Sequence, residues 1–235
     1  VTPALARNDI RPELSGVFCG FNINGEKNLV FAATDSYRLA EKKIKLNQGE
    51  EEFKAIIPGR TANEVIHILS LSTAEDGEKG VRILLNSNQI VLNYGTVQLV
   101  SRLVDGSYPD YTQIIPKVFS TTTSFSANLM AKEIKAAALF TTTGVNAVSF
   151  SFDKNSHTVT VSSTSTQTGE YKSQIEAQIE GENNAILLNH RYLLDGLNNI
   201  KTPNAVFKMI NADSPCLFAP QGDDSYLYIV MPIRQ

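Results

Sequence analysis

The feature that most constrains this chain is a list of hydrophobic patterns that runs through once and then starts again. A helix pattern at 4–11 precedes strand patterns at 17–23, 29–34, 37–46 and 53–57. A second helix follows Gly59, then strands at 81–85, 89–94 and 97–103. The second half opens with a helix pattern at 128–140 and strand patterns at 147–152, 158–162, 171–179 and 185–188. A helix from residue 190 and strands at 206–210, 216–219 and 225–231 complete it. Residue identity between the halves is low, yet order and spacing agree. A period of about 115 residues is too long for a solenoid, whose units run ~20–50 residues. It predicts an α+β fold of two tandem domains, each resting two helices on one face of antiparallel sheet. A turn-rich stretch at 105–111 and a Ser/Thr-rich run at 120–126 place the boundary near Val118, giving domains 1–118 and 119–235.

Local signals sharpen the pattern. Val17, Cys19, Phe21 and Ile23 share one face of a half-buried strand. Asn24-Gly25 is a tight-turn signal, since both residues tolerate positive φ. Thr61 and Glu64 have the spacing of a capping box, ahead of a helix stripe of Ala62, Val65, Ile66 and Leu69. Residues 72–80 read as a polar loop. Asn189 is placed to cap the helix whose His190, Leu193, Leu194 and Leu197 share a face.

Little in the sequence points to catalysis. His67, His157 and His190 are scattered without metal-ligand spacing, and Cys19 and Cys216 have no nearby second thiol. There is no glycine-rich phosphate loop and no nucleophile-elbow motif. Asp105 and Asp110 read as turn residues. The expectation is a non-catalytic protein with no metal and no cofactor. Two distant thiols fit a reducing, cytoplasmic compartment. No apolar run approaches the ~20 residues that span a bilayer, so no membrane partner is expected. The net charge of −3 does not announce a nucleic-acid binder. The helix patterns, however, carry seven basic residues (Arg7, Arg11, Arg60, Lys132, Lys135, Arg191, Lys201) against five acidic ones. Phosphate contact depends on such local charge, not on the net value.

Two stretches organise the rest. Ala33-Thr34-Asp35-Ser36-Tyr37-Arg38-Leu39-Ala40 follows an apolar strand, and the tail Tyr228-Ile229-Val230-Met231-Pro232-Ile233-Arg234-Gln235 is apolar where termini are usually polar. Such a tail is either buried or lines a groove. The octet resembles the Ala-Thr-Asp-Gly-His-Arg-Leu-Ala signature of the bacterial sliding clamps, the beta subunits of DNA polymerase III. Residues 103–111 (Leu-Val-Asp-Gly-Ser-Tyr-Pro-Asp-Tyr) resemble that family's linker between its second and third domains. The tail is similar to its closing Tyr-x-x-Met-Pro-Met-Arg, and residues 11–16 match a further family segment. The chain looks like the second and third clamp domains only, without the N-terminal one. It opens at Val1 without a methionine, which fits a fragment or a processed chain.

The resemblance implies two copies of the DNA-clamp domain. It implies a processivity factor that encircles duplex DNA without reading sequence, as a homodimeric ring when full-length. Arg7, Arg11, Lys132, Lys135, Arg191 and Lys201 are then the expected channel residues. It also implies a groove between these two domains that captures short linear motifs of the replicative polymerase, the clamp loader and repair proteins. Carried over by position, that groove comprises Leu14, Thr34, Ser36, Tyr37, Arg38, Leu39, Pro109, Gln113, Ile114, Asn189, Tyr192, Ile229, Val230, Met231, Pro232, Ile233 and Arg234. An apolar pocket with an adaptable Met suits many partners. Ser36 and Tyr37 depart from the common Gly and His, Ile233 from Met, and Gln235 from Leu. Two other readings of the residues stand beside this one: a peptide-binding adaptor that never touches DNA, and an enzyme with its site around Asp35, Tyr37 and Arg38.

Overall fold

In the computed structural model, which describes residues 1–7, 10–71, 80–142 and 144–234, two units emerge, each with its own core. The first comprises Val1–Ser36 and Glu41–Asp110; the second comprises Tyr37–Ala40 and Tyr111–Gln235.

In the first unit, short and largely apolar runs form β1 (Gly16–Phe21), β2 (Asn28–Thr34), β3 (Arg38–Lys45, its first three residues counted with the second unit) and β4 (Phe53–Pro58). Their order is β3-β2-β1-β4. β1 runs antiparallel to both neighbours, with Phe18 opposite Ala32 and Cys19 opposite Ala55. Helix α1 (Gly59–Ser70) leads to an antiparallel sheet of β5 (Arg82–Leu85), β6 (Gln89–Tyr94) and β7 (Val97–Arg102). Ile90 of β6 packs with Cys19, Ala55 and Ile57, so the two sheets share one core, closed by Ala62 of α1.

Four local expectations fail here. The helix expected over 4–11 is absent from the described residues: the chain makes 3₁₀ turns at Thr2–Ala4 and Pro12–Ser15 instead. Pro12 has no N–H to continue a helix, and the Ala6 N–H donates to the Leu14 carbonyl at 3.1 Å. Residues 8 and 9, and the loop at 72–79, lie outside the described residues. The capping box at Thr61 and Glu64 does not form, because the N-cap is Pro58, three residues before Thr61, and α1 starts at Gly59. The Thr61 hydroxyl pairs with that of Ser101 at 2.7 Å, and Glu64 faces the His67 ring. The helix stripe is rotated too: Ile66 is exposed, and Ile68 takes its place beside Val65 and Leu69. The Asn24-Gly25 turn is wider than two residues, with Asn22, Asn24 and Gly25 all at positive φ.

The second unit repeats the plan. β8 (Thr121–Ser126) leads into α2 (Ala127–Ala138), then β9 (Ala147–Asp153), β10 (Thr158–Ser165), β11 (Gly169–Glu176), β12 (Gln178–Gly181) and β13 (Asn184–Asn189). Helix α3 (His190–Leu197) precedes β14 (Asn204–Met209), β15 (Cys216–Pro220) and β16 (Tyr226–Val230). One sheet has the order β11-β10-β9-β13, which matches β3-β2-β1-β4 strand for strand. The other runs β12-β8-β14-β15-β16. The Phe152 and Phe207 rings stack at 4.9 Å, joining the two sheets, and Phe218 packs on Phe207 at 4.7 Å. Met130, Ile134 and Ala137 of α2 are buried.

Two differences from the sequence pattern occur in this unit. The Ser/Thr-rich run at 120–126 is strand β8, with Thr121, Thr123 and Phe125 buried in strict alternation. The pattern at 171–179 is two strands, not one. β11 pairs with β10 while β12 pairs with β8, so the chain changes sheet at Ala177, whose N–H donates to the His157 carbonyl.

Candidate functional site

The octet that stood out in the sequence spans a change of allegiance. Thr34 ends β2, its N–H donating to the hydroxyl of half-buried Tyr108 at 3.1 Å, and its own hydroxyl accepts the Ser36 N–H at 3.2 Å. Ser36 sits at φ 75°, a left-handed backbone that glycine adopts without strain. After it, Tyr37–Ala40 folds with the second unit.

There the tail holds it. The Met231 N–H donates to the Tyr37 carbonyl at 2.8 Å, and the Ile233 N–H donates to the Leu187 carbonyl at 2.9 Å. Pro232, between them, has no donor to place. The tail is thus pinned at alternate residues, with Met231, Pro232 and Ile233 half-buried and Arg234 exposed. Gln235 is outside the described residues. Tyr37 is 63% exposed, whereas Leu39, Ile229 and Val230 are fully buried and serve packing. Gln113 and Ile114, on a 3₁₀ turn at Tyr111–Ile114, are exposed. In the first unit, Leu14 is buried, Pro109 half-buried and Ser36 exposed.

Helix α3 supplies the rest. The Asn189 side chain caps it as expected, accepting the Arg191 N–H at 2.9 Å. Tyr192 and Asp195, three residues apart, lie on neighbouring faces of the same turn. Arg38, only 4% exposed, reaches both. Its guanidinium carbon lies 4.4 Å over the Tyr192 ring, and Nη1 donates to Asp195 Oδ2 at 2.5 Å and to the Tyr228 hydroxyl at 3.5 Å. The arrangement depends on Gly196. A Cβ there would meet the Tyr228 ring at 2.5 Å, so only glycine lets α3 approach β16 this closely. No local sequence signal joins Asp195, Gly196 and Tyr228; only the fold brings them together.

The chemistry of ionisable groups is muted. Burial pushes the Cys19 thiol up to about 12 and raises Cys216 further, so neither is a ready nucleophile. Burial also raises the phenols of Tyr108, Tyr226 and Tyr228. Burial, with the Arg191 charge, lowers His190, whose Nδ1 has no hydrogen-bond partner among the described residues. Among the described residues no cluster of three or more His, Cys, Asp or Glu is placed to hold a metal, and no helix is long and apolar enough to cross a membrane.

The basic residues singled out earlier are all exposed. Lys132 and Lys135 project from α2, opposite its buried face, and Arg191 projects from the first turn of α3. Lys201 lies just beyond α3, donating to the Asn198 carbonyl at 3.3 Å. Arg7 is exposed, and Arg11 pairs with Glu13 at 3.0 Å.

Comparison with known proteins decides the family. Residues 1–110 match the profile of the central domain of the DNA polymerase III beta subunit, and residues 112–234 that of its C-terminal domain. The chain belongs to the DNA polymerase III beta subunit family. It is 32% identical over 232 residues to the beta sliding clamp of Staphylococcus aureus, covering 98% of this chain and 59% of that protein. The DNA polymerase sliding clamp of Bacillus subtilis, solved as a crystal structure, superposes with a TM-score of 0.91 at 29% identity, covering all of this chain and 60% of that one. The beta subunit of Thermotoga maritima gives 0.88 at 28%, covering 61% of that chain. This beta subunit chain thus spans about three fifths of the relatives it matches, and the tandem α+β plan read from its sequence is the sliding-clamp fold.

Proposed function

We propose that this chain is the middle (1–118) and C-terminal (119–235) part of a sliding clamp, a non-catalytic processivity factor of the cytoplasm. In this reading the full-length protein forms a homodimeric ring around duplex DNA. Lys132, Lys135, Arg191 and Lys201, with Arg7 and Arg11, meet the phosphates through loose, sequence-independent contacts. Topological linkage, not affinity, then keeps the clamp on DNA.

The same reading makes the tail a docking site for short linear motifs of the replicative polymerase, the clamp loader and repair proteins. One observation carries it: Met231–Ile233 is tied by backbone hydrogen bonds beside exposed Tyr37, with Tyr192 and the helix-capping Asn189 on the same unit. A half-buried Met and Ile flanking a donor-less Pro offer apolar purchase for a Leu or Phe anchor. Leu14, Thr34, Ser36 and Pro109 complete the set that the family resemblance assigns.

Fluorescence anisotropy with a labelled Gln-Leu-x-Leu-Phe peptide tests the docking site. The expected result is saturable binding, weakened about ten-fold or more by Met231→Ala, as for loss of a central apolar contact. Unchanged binding by Met231→Ala would remove the tail from the site. For the ring, the full-length protein should be retained on circular DNA and lost from linear DNA. Equal retention would leave only a peptide-binding adaptor.

A further inference from the structure

We propose that Asn24 is a site of spontaneous covalent modification, where the backbone nitrogen of Gly25 converts the side-chain amide into a carboxylate. Asn24 is the one asparagine in the chain that precedes a glycine. Glycine has no Cβ to obstruct attack by its own nitrogen. That nitrogen, having lost its proton to hydroxide, attacks Asn24 Cγ. The new C–N bond closes a succinimide ring, and the original amide nitrogen leaves as ammonia, taking a proton from water. A second water opens either ring carbonyl, giving aspartate or isoaspartate. The net change consumes one water and releases one ammonia, with nothing oxidised or reduced.

The structure separates the two asparagines of this turn, which joins β1 to β2 and holds Asn22, Asn24, Gly25 and Lys27 at positive φ. Asn22 is only 8% exposed, and its amide is engaged at both ends. Nδ2 donates to the Glu50 carbonyl at 2.6 Å, and Oδ1 accepts the Lys27 N–H at 3.1 Å. Asn22 therefore holds the turn. Asn24 is exposed, and its side chain makes no hydrogen bond among the described residues. Beyond the neighbours in the chain, nothing lies within 4 Å of where a Cβ on Gly25 would stand. Cγ is thus free to rotate toward the Gly25 nitrogen, and water reaches the ring from open solvent. The nucleophile is restrained by one bond, its N–H donating to the Asn22 carbonyl at 3.1 Å. That bond closes a single 3₁₀ turn, Ile23–Gly25, at a hairpin tip, where local opening costs little. The reaction then runs in the folded chain, more slowly than in a free peptide. Its product adds a negative charge to a net of −3, at a turn already flanked by Glu26 and Glu50. Isoaspartate also routes the backbone through Cβ, which lengthens the turn.

The test incubates the folded chain at mildly alkaline pH beside the free peptide Phe-Asn-Ile-Asn-Gly-Glu-Lys, then digests the chain and maps it by mass spectrometry. The fragment carrying Asn24 is expected to be the first to gain the mass of an amide-to-acid exchange, and to resolve into two products of equal mass. Fragment sequencing should place the change at Asn24 and leave Asn22 intact. Conversion in the folded chain should lag behind the free peptide but proceed. Asn24→Gly keeps the left-handed backbone without strain, so it should abolish the conversion and leave the circular dichroism spectrum unchanged. Earlier conversion at any other asparagine overturns the proposal. So does an Asn24 that stays intact after the free peptide has turned over, or one that reacts only when urea unfolds the chain.

Discussion

Replacing Gly196 with alanine sets two opposed effects against each other at one atom. In a helix, alanine is favoured over glycine by up to about 1 kcal/mol, and the gain shrinks near a helix end. Gly196 is the last residue but one of α3, so only part of it is available. Against it stands the Tyr228 ring, whose nearest atoms would lie 2.5, 2.7 and 3.0 Å from the new Cβ. Ordinary carbon contacts begin near 3.5 Å, so the overlap is roughly 1 Å. The ring cannot swing away, because it is fully buried. Overpacking of this kind costs about 1–3 kcal/mol, and the net expectation is a loss of about 1–2 kcal/mol. For a chain of this size that lowers the melting temperature by about 5 °C. Calorimetry on Gly196→Ala and Gly196→Ser checks it, serine adding bulk without alanine's helix preference. Gly196→Ala melting at or above wild type would show that the approach of α3 to β16 is looser than described.

Two further outcomes follow from buried polar groups. The Ser163 hydroxyl, on β10, donates to the Ala137 carbonyl at 2.6 Å, near the end of α2; Ser163→Ala should cost about 1 kcal/mol in urea denaturation, since the carbonyl keeps a backbone partner in Phe140. His190 is held neutral, below its ordinary 6.5, by burial first and the Arg191 charge second. The unfolded chain therefore binds the proton more readily. Stability should be flat above pH 6.5 and decline below it until the folded histidine also charges, and His190→Asn should flatten that slope. A slope that persists in His190→Asn would assign it to other groups.

The strands were legible wherever side chains alternate in polarity, as in β6 and β10, because one face of each sheet is buried. β1 ends at Phe21, so Ile23, expected on its buried face, falls in the following turn. β8 was hidden because its inward residues are Thr121 and Thr123, whose hydroxyls disguise a core face. The Tyr171–Ile179 pattern stayed in phase across two strands, so alternation alone could not reveal a change of sheet at Ala177. The missing capping box shows a similar limit. Thr61 had the right spacing, but the backbone after Pro58 was already helical, and its hydroxyl went to Ser101 instead. For the site, motif positions located the octet and the tail. The partner of Arg38 was out of reach, since Asp195 lies 157 residues along the chain and nothing local marks the pair.

The four residues Tyr37–Ala40 have a practical consequence for taking the protein apart. No single cut yields the second half intact, because a fragment beginning at Tyr111 leaves behind the short insert on which Asp195, Tyr228 and the Met231 amide close. Such a fragment would be a lock missing its own tumbler. Adding the octet back as a free peptide, or grafting it ahead of Tyr111, is the way to recover a complete C-terminal half for study.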